Sequence, residues 1–200
     1  MKPGLTLFTN STSLALPRFG GNAPVGVSPP IVNSLTRYFA TIVLDLEEKQ
    51  ELSLFTSMDY DEGSPTSLWV NTEKIHTADC SLVQCVIHEC ASRSSSTSCA
   101  SDLRGHALET EAEISDIVVE PKGPLLLPSK IGGRPYFYYG QPKYVAPIND
   151  LFSEGYILIL QFTYPGPKEA PKGEWPFFDF TFHLFAKETS DGITWRYGWG

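Results

Sequence analysis

The sequence LALPRFGGNAP spans residues 14–24, and LLLPSKIGGRP at residues 125–135 repeats it with one residue inserted before the glycine pair. A glycine pair between two prolines cannot continue a helix, and it favours positive φ angles. Each stretch is therefore predicted to be a tight loop that reverses the chain. The return of a whole motif is the first sign of an internal duplication.

Three further landmarks follow each loop in the same order: an apolar run, a Leu-Phe pair before a polar turn, and a tryptophan. They lie at residues 38–46, 53–55 and 69 in the first half and at residues 156–164, 183–185 and 195 in the second. Four shared landmarks in one order predict two diverged copies of a single β-rich unit.

Most of the chain is predicted to be β-structure. The apolar runs are short and rich in β-branched and aromatic side chains, which indicates buried central strands. Residues 52–55 and 178–185 alternate apolar with polar side chains, which is typical of half-buried strands with one wet face. Residues 80–90 fit a strand or a short helix equally well.

The predicted fold class is α+β, mainly β, with two copies packed as one pseudo-twofold body and few short helices. We expect one globular domain over residues 1–200. The first copy covers about 12–75, a variable middle segment 76–122, and the second copy 123–200. The helix candidates are residues 34–40 and 148–154, with Asn149 or Asp150 as a cap for the second.

The charge and hydropathy of the chain limit the classes of partner that it can bind. The net charge is -8 and the isoelectric point is about 5.0, which disfavours a phosphate-binding surface and hence nucleic acid. A basic protein would be attracted instead. The sequence has neither an apolar stretch of signal-peptide length at its start nor an apolar run of membrane-spanning length. These features predict a cytoplasmic protein without a membrane partner.

The cysteines are candidates for metal ligands or nucleophiles. Cys80, Cys85, His88 and Cys90 lie close together, but their spacing lacks the second distant clip of a structural zinc site. The favoured interpretation is that these cysteines are buried free thiols and that Cys99 is also a free thiol, in a reducing compartment. A redox role or a disulfide to Cys99 is the alternative. A Cys-His pair around His88 has no nucleophile elbow or oxyanion loop beside it. We therefore predict no metal, no cofactor and no enzyme activity.

Two surfaces are candidates for binding. The first is acidic and suits a basic protein partner; its residues are Asp59, Tyr60, Asp61, Glu62, Glu109, Glu111 and Glu113, the last three on one face of a strand predicted over residues 107–113. The alternative is a small-molecule or hydrolase cleft between the two copies; its residues are Tyr136, Tyr138, Tyr139 and Trp175. The acidic clusters can also be explained without a binding role, as solvated turns and a solvated strand face.

The second half also resembles a known family. The matching residues are 129–137 (SKIGGRPYF), Gln141-Pro142, 158–161 (LILQ), Trp175, 182–185 (FHLF) and Trp195. Together they resemble the C-terminal half of the YwqG-like family of bacterial proteins. The resemblance implies a duplicated, mostly β fold without an assigned enzymatic activity, and the family includes immunity-type proteins. It leads us to expect an immunity protein that neutralises a cognate bacterial toxin by occluding its active site.

Overall fold

The structure is a computed structural model, and it describes residues 4–7, 18–32, 34, 36–45, 50–57, 76–77, 83–92, 106–107, 110–114, 129–135, 142–163 and 181–199. This part of the chain contains β-strands and one α-helix. They are β1 (Gly4–Leu7), β2 (Arg18–Phe19), β3 (Thr36–Asp45), β4 (Gln50–Ser57), β5 (His76–Thr77), β6 (Val83–Glu89), β7 (His106–Ala107), β8 (Thr110–Ile114), β9 (Lys130–Ile131), α1 (Pro142–Ser153), β10 (Ile157–Phe162), β11 (Phe182–Thr189) and β12 (Gly192–Trp199).

The strands form two antiparallel sheets. The first sheet has the order β6-β4-β3-β2-β7, and the second has the order β5-β12-β11-β10-β9-β1-β8. The prediction of a mainly β, α+β fold is confirmed. The sequence of residues 80–90 fits either a strand or a short helix, and the structure contains the strand β6 there.

The two sheets pack face to face over one hydrophobic core. Its fully buried side chains come from both sheets: Phe39, Ile42 and Leu54 from the first, and Leu160, Phe182 and Tyr197 from the second are among them. The ring of Phe39 meets the rings of Phe162 and Phe182 edge-on, with centroids 5.3 and 6.5 Å apart. We call the side of each sheet that faces this core its inner face, and the opposite side its outer face.

Each glycine pair forms the predicted tight loop. Gly20 and Gly21 have φ angles of 67° and 69°, and Gly132 and Gly133 have φ angles of 70° and 71°. The amide of Gly20 donates to the carbonyl of Phe39 at 2.7 Å. The amide of Gly132 donates to the carbonyl of Ile159 at 3.1 Å. Both loops therefore attach to the central strand of their own sheet in the same way.

The central strands also share their register. β3 has a bulge between Tyr38 and Ala40, and β10 has one between Leu158 and Leu160. Beyond the bulge, Thr41 pairs with Ser53 in the first sheet, and Gln161 pairs with His183 in the second. The alignment of residues 53–55 with 183–185 agrees with these pairs. The predicted match of Tyr38 with Tyr156 is wrong by two residues, because the register places Leu158 where Tyr38 lies.

Replacing Gly132 by alanine is expected to lower the free energy of unfolding by about 1–2 kcal/mol, because a Cβ costs this much in the left-handed region. A Cβ at Gly132 would meet no atom within 4 Å, so backbone strain alone sets the effect. Gly132→Asn should cost less, since asparagine tolerates positive φ. Urea denaturation of both variants tests this; equal losses for alanine and asparagine would contradict it.

Of the two predicted helices, the first is wrong and the second is confirmed in place but starts earlier. Residues 34–40 are strand from Thr36 onward, because their β-branched and aromatic side chains pair with β4 and enter the core. The second predicted helix exists, but it already begins at Pro142, so Asn149 and Asp150 lie inside it and do not cap it. The helix ends at Ser153 and is followed by a turn in which Gly155 has a φ of 92°.

A Schellman motif closes the end of α1. The amide of Tyr156 donates to the carbonyl of Leu151 at 3.0 Å, and the amide of Gly155 donates to the carbonyl of Phe152 at 3.1 Å. The Tyr156 and Leu151 side chains also share a hydrophobic cluster. The helix is neither long enough nor apolar enough to cross a membrane, and no other helix occurs in the described ranges.

A second layer covers the outer face of both sheets. In the second sheet, Ile148 and Leu151 of α1 pack on Leu158 and Phe185. In the first sheet, residues 20–32 form a covering loop whose Ala23 and Val27 pack on Tyr38 and Phe55. The prediction of strands with one wet face is therefore wrong. Ser53 and His183, which alternate with apolar residues, are both buried.

Candidate functional site

Most of the predicted binding residues lie outside the described part of the chain. This applies to Asp59, Tyr60, Asp61, Glu62 and Glu109, and to the cleft residues Tyr136, Tyr138, Tyr139 and Trp175. Glu111 and Glu113 lie at alternate positions of β8, hence on one face of that strand. The single strand predicted over residues 107–113 is wrong, because β7 belongs to the first sheet and β8 to the second.

The cysteine and histidine of β6 lie on opposite faces of the first sheet. Cys85 packs against the core between the sheets, while His88 is on the outer face. Burial raises the pKa of the Cys85 thiol, so this side chain stays protonated and is a poor nucleophile. The described residues contain no group of three or more metal-binding side chains. Cys90 is exposed, whereas Cys80 and Cys99 lie outside the described residues.

A chain of buried hydrogen bonds crosses the outer face of the first sheet. The hydroxyl of Tyr38 lies 2.8 Å from that of Thr41, and the Thr41 hydroxyl lies 2.8 Å from that of Ser53. The Ser53 hydroxyl lies 2.8 Å from Nε2 of His88. Three strands supply these residues, since Thr41 is on β3, Ser53 on β4 and His88 on β6. The chain joins a deeply buried phenol to the partly accessible imidazole.

The direction of the chain follows from the second imidazole nitrogen. Nδ1 of His88 lies 2.7 Å from the carbonyl oxygen of Glu89, which can only accept. In a neutral ring, Nδ1 therefore carries the proton, and Nε2 accepts from Ser53. Ser53 then accepts from Thr41, and Thr41 accepts from Tyr38. The Thr41 and Ser53 hydroxyls are thus each both donor and acceptor, and the buried Tyr38 hydroxyl donates, so the buried hydroxyls are hydrogen-bonded.

Glu51 completes an arrangement that resembles the triad of a serine hydrolase. Its Oε2 lies 3.8 Å from Nδ1 of His88, beyond hydrogen-bond length. The imidazole is oriented by the Glu89 carbonyl instead. Ser53 is completely buried and also bonded to Thr41, so its oxygen is not presented to a substrate. The geometry provides a structural network rather than an activated nucleophile.

Glu51 also connects the sheet to the covering loop. The side chain is completely buried, and its Oε2 accepts from the amide of Ala91 at 3.2 Å. The next residue, Ser92, accepts from the amide of Val25 in the covering loop at 2.7 Å. Oε1 of Glu51 has no hydrogen-bond partner among the described residues. The carboxylate thereby holds the segment that follows β6 in place.

Gln84 fastens the other end of the covering loop. Its side-chain oxygen accepts from the amide of Ile31 at 2.7 Å, and its side-chain nitrogen donates to the carbonyl of Ile31 at 2.8 Å. One amide side chain therefore satisfies both backbone groups of Ile31, as a neighbouring strand would. The loop is held at two points while its Val25, Ile31 and Val32 side chains stay exposed.

An equivalent buried polar row crosses the second sheet. In the second sheet, Lys130 pairs with Gln161, and Gln161 pairs with His183. In the first sheet, Arg18 pairs with Thr41, and Thr41 pairs with Ser53. All six side chains are buried. The Lys130 ammonium donates to the carbonyl of Arg134. The alternating sequence pattern located the polar positions, but it could not show that a second layer would bury them.

Replacing Ser53 by alanine is expected to lower the free energy of unfolding by about 1–3 kcal/mol, because the buried Thr41 hydroxyl and the largely buried Nε2 of His88 both lose their partner. Ser153→Ala is the matched control. Its hydroxyl also makes one 2.8 Å hydrogen bond, to the carbonyl of Asp150, but it is exposed and should cost about 0.5 kcal/mol or less. Urea denaturation of both variants measures the difference. Equal losses would show that the buried chain contributes nothing.

The surface of the described residues is acidic. The exposed charged side chains are five carboxylates (Glu89, Asp150, Glu154, Glu188 and Asp191) and one guanidinium (Arg134). Three further cationic side chains, Arg37, Lys187 and Arg196, are half-buried. Four of the carboxylates lie in α1, in the turn after it, or in the β11–β12 hairpin. The ammonium of Lys187 on β11 donates to the carbonyl of Glu154 at 2.5 Å, so these segments are adjacent. Sequence reasoning missed this acidic end, because its residues are scattered along the chain.

Comparison with known proteins yields no relative for this arrangement. No family model matches the chain, and no curated protein or solved structure matches it. The fold and the site therefore define its class by themselves: a mainly β protein of two packed antiparallel sheets with buried polar networks and an acidic surface.

Proposed function

We propose that this chain is a non-enzymatic binding protein of the immunity type, which neutralises a cognate bacterial toxin by occluding its active site. The observation that carries the proposal is the acidic surface: five exposed carboxylates against one exposed guanidinium among the described side chains, in a chain of net charge -8. Such a surface attracts a basic protein and speeds its association. The partner is a basic toxin domain in the cytoplasm.

The scaffold proposed for this role is a duplicated unit related to the YwqG-like proteins. The matched bulges of β3 and β10 support the duplication, as do the glycine-pair loops that attach at Phe39 and Ile159. The covering loop and α1 occupy the same place in the two units, between the glycine pair and the central strand. Two sheets sharing one core make a rigid platform, and rigidity limits the entropy lost on binding.

The buried networks favour binding over catalysis. The hydrolase-like set of Ser53, His88 and Glu51 has a buried serine and a carboxylate beyond hydrogen-bond distance from the imidazole. These residues instead position the covering loop and stiffen the first sheet. Their contribution to function is the shape of the surface that a partner meets.

Co-expression tests the proposal. The chain is produced together with the product of each neighbouring gene that is toxic when expressed alone. We expect one of these toxins to be neutralised and to co-purify with the chain, with an association rate that falls as salt is raised. A variant in which Glu154, Glu188 and Asp191 are changed to the corresponding amides should bind more slowly. Neutralisation without a physical complex would contradict the proposal.

A further inference from the structure

At one end of the second sheet, side chains on its inner face are exposed. Ile157 of β10 pairs with Ala186, and Ala186 pairs with Trp195, so the three side chains share a face. Trp195 packs against the core between the sheets, which identifies this face as the inner one. Yet Ile157 is 61% exposed, and Ile193, two residues before Trp195, is 41% exposed.

The exposed part of this face consists of Ile157 and Ile193, and acidic side chains lie at its edge; Ala186 is buried. Glu188 pairs with Ile193 and is exposed on the same face. Asp191 is exposed in the turn of the same hairpin, and exposed Glu154 precedes β10. Lys187 points to the other side, where its ammonium lies 5.7 Å from the centre of the Tyr156 ring. The apolar face therefore has carboxylates, and no exposed basic side chain, among its described neighbours.

We infer that this face, on which Ile157 and Ile193 are exposed with Glu188 at the edge, docks an amphipathic basic segment of the partner protein. The inference rests on the proposed function and names the surface that performs it. Apolar side chains of the segment cover the two isoleucines, and its lysines or arginines pair with the carboxylates. A second copy of this chain is a poor occupant, because Glu188 would then approach another acidic surface.

A defined peptide tests the face directly. The probe is a fluorescently labelled leucine-lysine peptide whose leucines recur with helical spacing, and the control peptide has the same composition in scrambled order. We expect the ordered peptide to bind the full chain at least about tenfold more tightly than the scrambled one, because only the former presents one apolar face. Amide hydrogen exchange should slow in β10 and in the β11–β12 hairpin when it binds.

Matched variants separate this face from other exposed apolar positions. Ile157→Ser combined with Ile193→Ser should weaken binding by about tenfold or more, since buried apolar area is lost. Ile31→Ser combined with Val32→Ser removes two comparably exposed side chains from the covering loop and should change affinity less than about twofold. Glu188→Gln should weaken binding and reduce its salt dependence.

Three outcomes would overturn the inference. They are equal binding of the scrambled peptide, weakening by the Ile31 and Val32 changes instead of the Ile157 and Ile193 changes, and dimerisation of the chain that Ile157→Ser abolishes. Failure of the face and failure of the proposed function are distinguishable. If the Ile157 and Ile193 double variant still neutralises a toxin, only the assignment of this face is contradicted. If the peptide binds at this face but no toxin is neutralised, only the proposed function is contradicted.

Discussion

Replacing Phe39 by alanine is expected to lower the free energy of unfolding by about 3–5 kcal/mol, a large part of the 5–15 kcal/mol that holds an ordinary domain folded. Phe39 is 1% exposed, and its ring contacts those of Phe162 and Phe182 from the opposite sheet. Alanine would leave a cavity between the sheets that neither can close by moving alone. Urea denaturation followed by circular dichroism measures the loss.

The control for this prediction is Phe39→Leu, which keeps most of the volume and should cost less than about 2 kcal/mol. The carbonyl of residue 39 still accepts from Gly20 in both variants, so the glycine-pair loop is not altered directly. A loss below about 1 kcal/mol for alanine would mean that the two sheets do not depend on this contact.

Replacing Phe185 by alanine is expected to cost about 3–5 kcal/mol and to release α1 from the second sheet. Phe185 is completely buried on the outer face, and its ring meets that of Phe152 edge-on at 6.1 Å. Because most helical stability comes from packing an apolar face, a helix of this length should fray once its support is removed. Hydrogen exchange of the α1 amides should therefore accelerate more than that of β3 and β4.

Phe55→Ala is the matched variant, because Phe55 occupies in the first sheet the register position that Phe185 occupies in the second. Phe55 packs on Tyr38 and Ala23 under the covering loop, so its loss should accelerate exchange at the Ile31 amide and leave α1 protected. The two variants should thus have similar costs and opposite local effects. Release of α1 by Phe55→Ala would show that the two outer layers are not separately supported.

The strands of the two sheets could largely be predicted from sequence. The runs around Phe39 and Leu160 are apolar on both faces, and the glycine pairs leave few other conformations for the loops. Predictions failed where tertiary context outweighed local preference. Residues 34–40 became strand because Tyr38 and Phe39 each enter a different hydrophobic cluster. The start of α1 was missed because Pro147 lies inside the helix, where proline is ordinarily disfavoured.

The candidate surfaces depend on contacts between distant residues. Ser53 and His88 are far apart in sequence, and the pattern around each indicates only a polar position on a strand. Their hydrogen bond exists because β6 pairs with β4 in one particular register. The same holds for Ile157 and Ile193, because the sequence marks them as apolar strand residues and does not show that they stay exposed.

Sequence by itself determined the local conformations of this protein: the two glycine-pair loops, the central strands, the abundance of β-structure and the acidic charge. Each follows from steric limits on φ and ψ, from side-chain periodicity or from composition, all of which act within a few residues. Only the tertiary structure decided which faces are buried, because burial depends on what packs above a strand. The covering loop and α1 cover the faces that carry the polar rows, whereas nothing among the described residues packs over Ile157, which stays in contact with solvent.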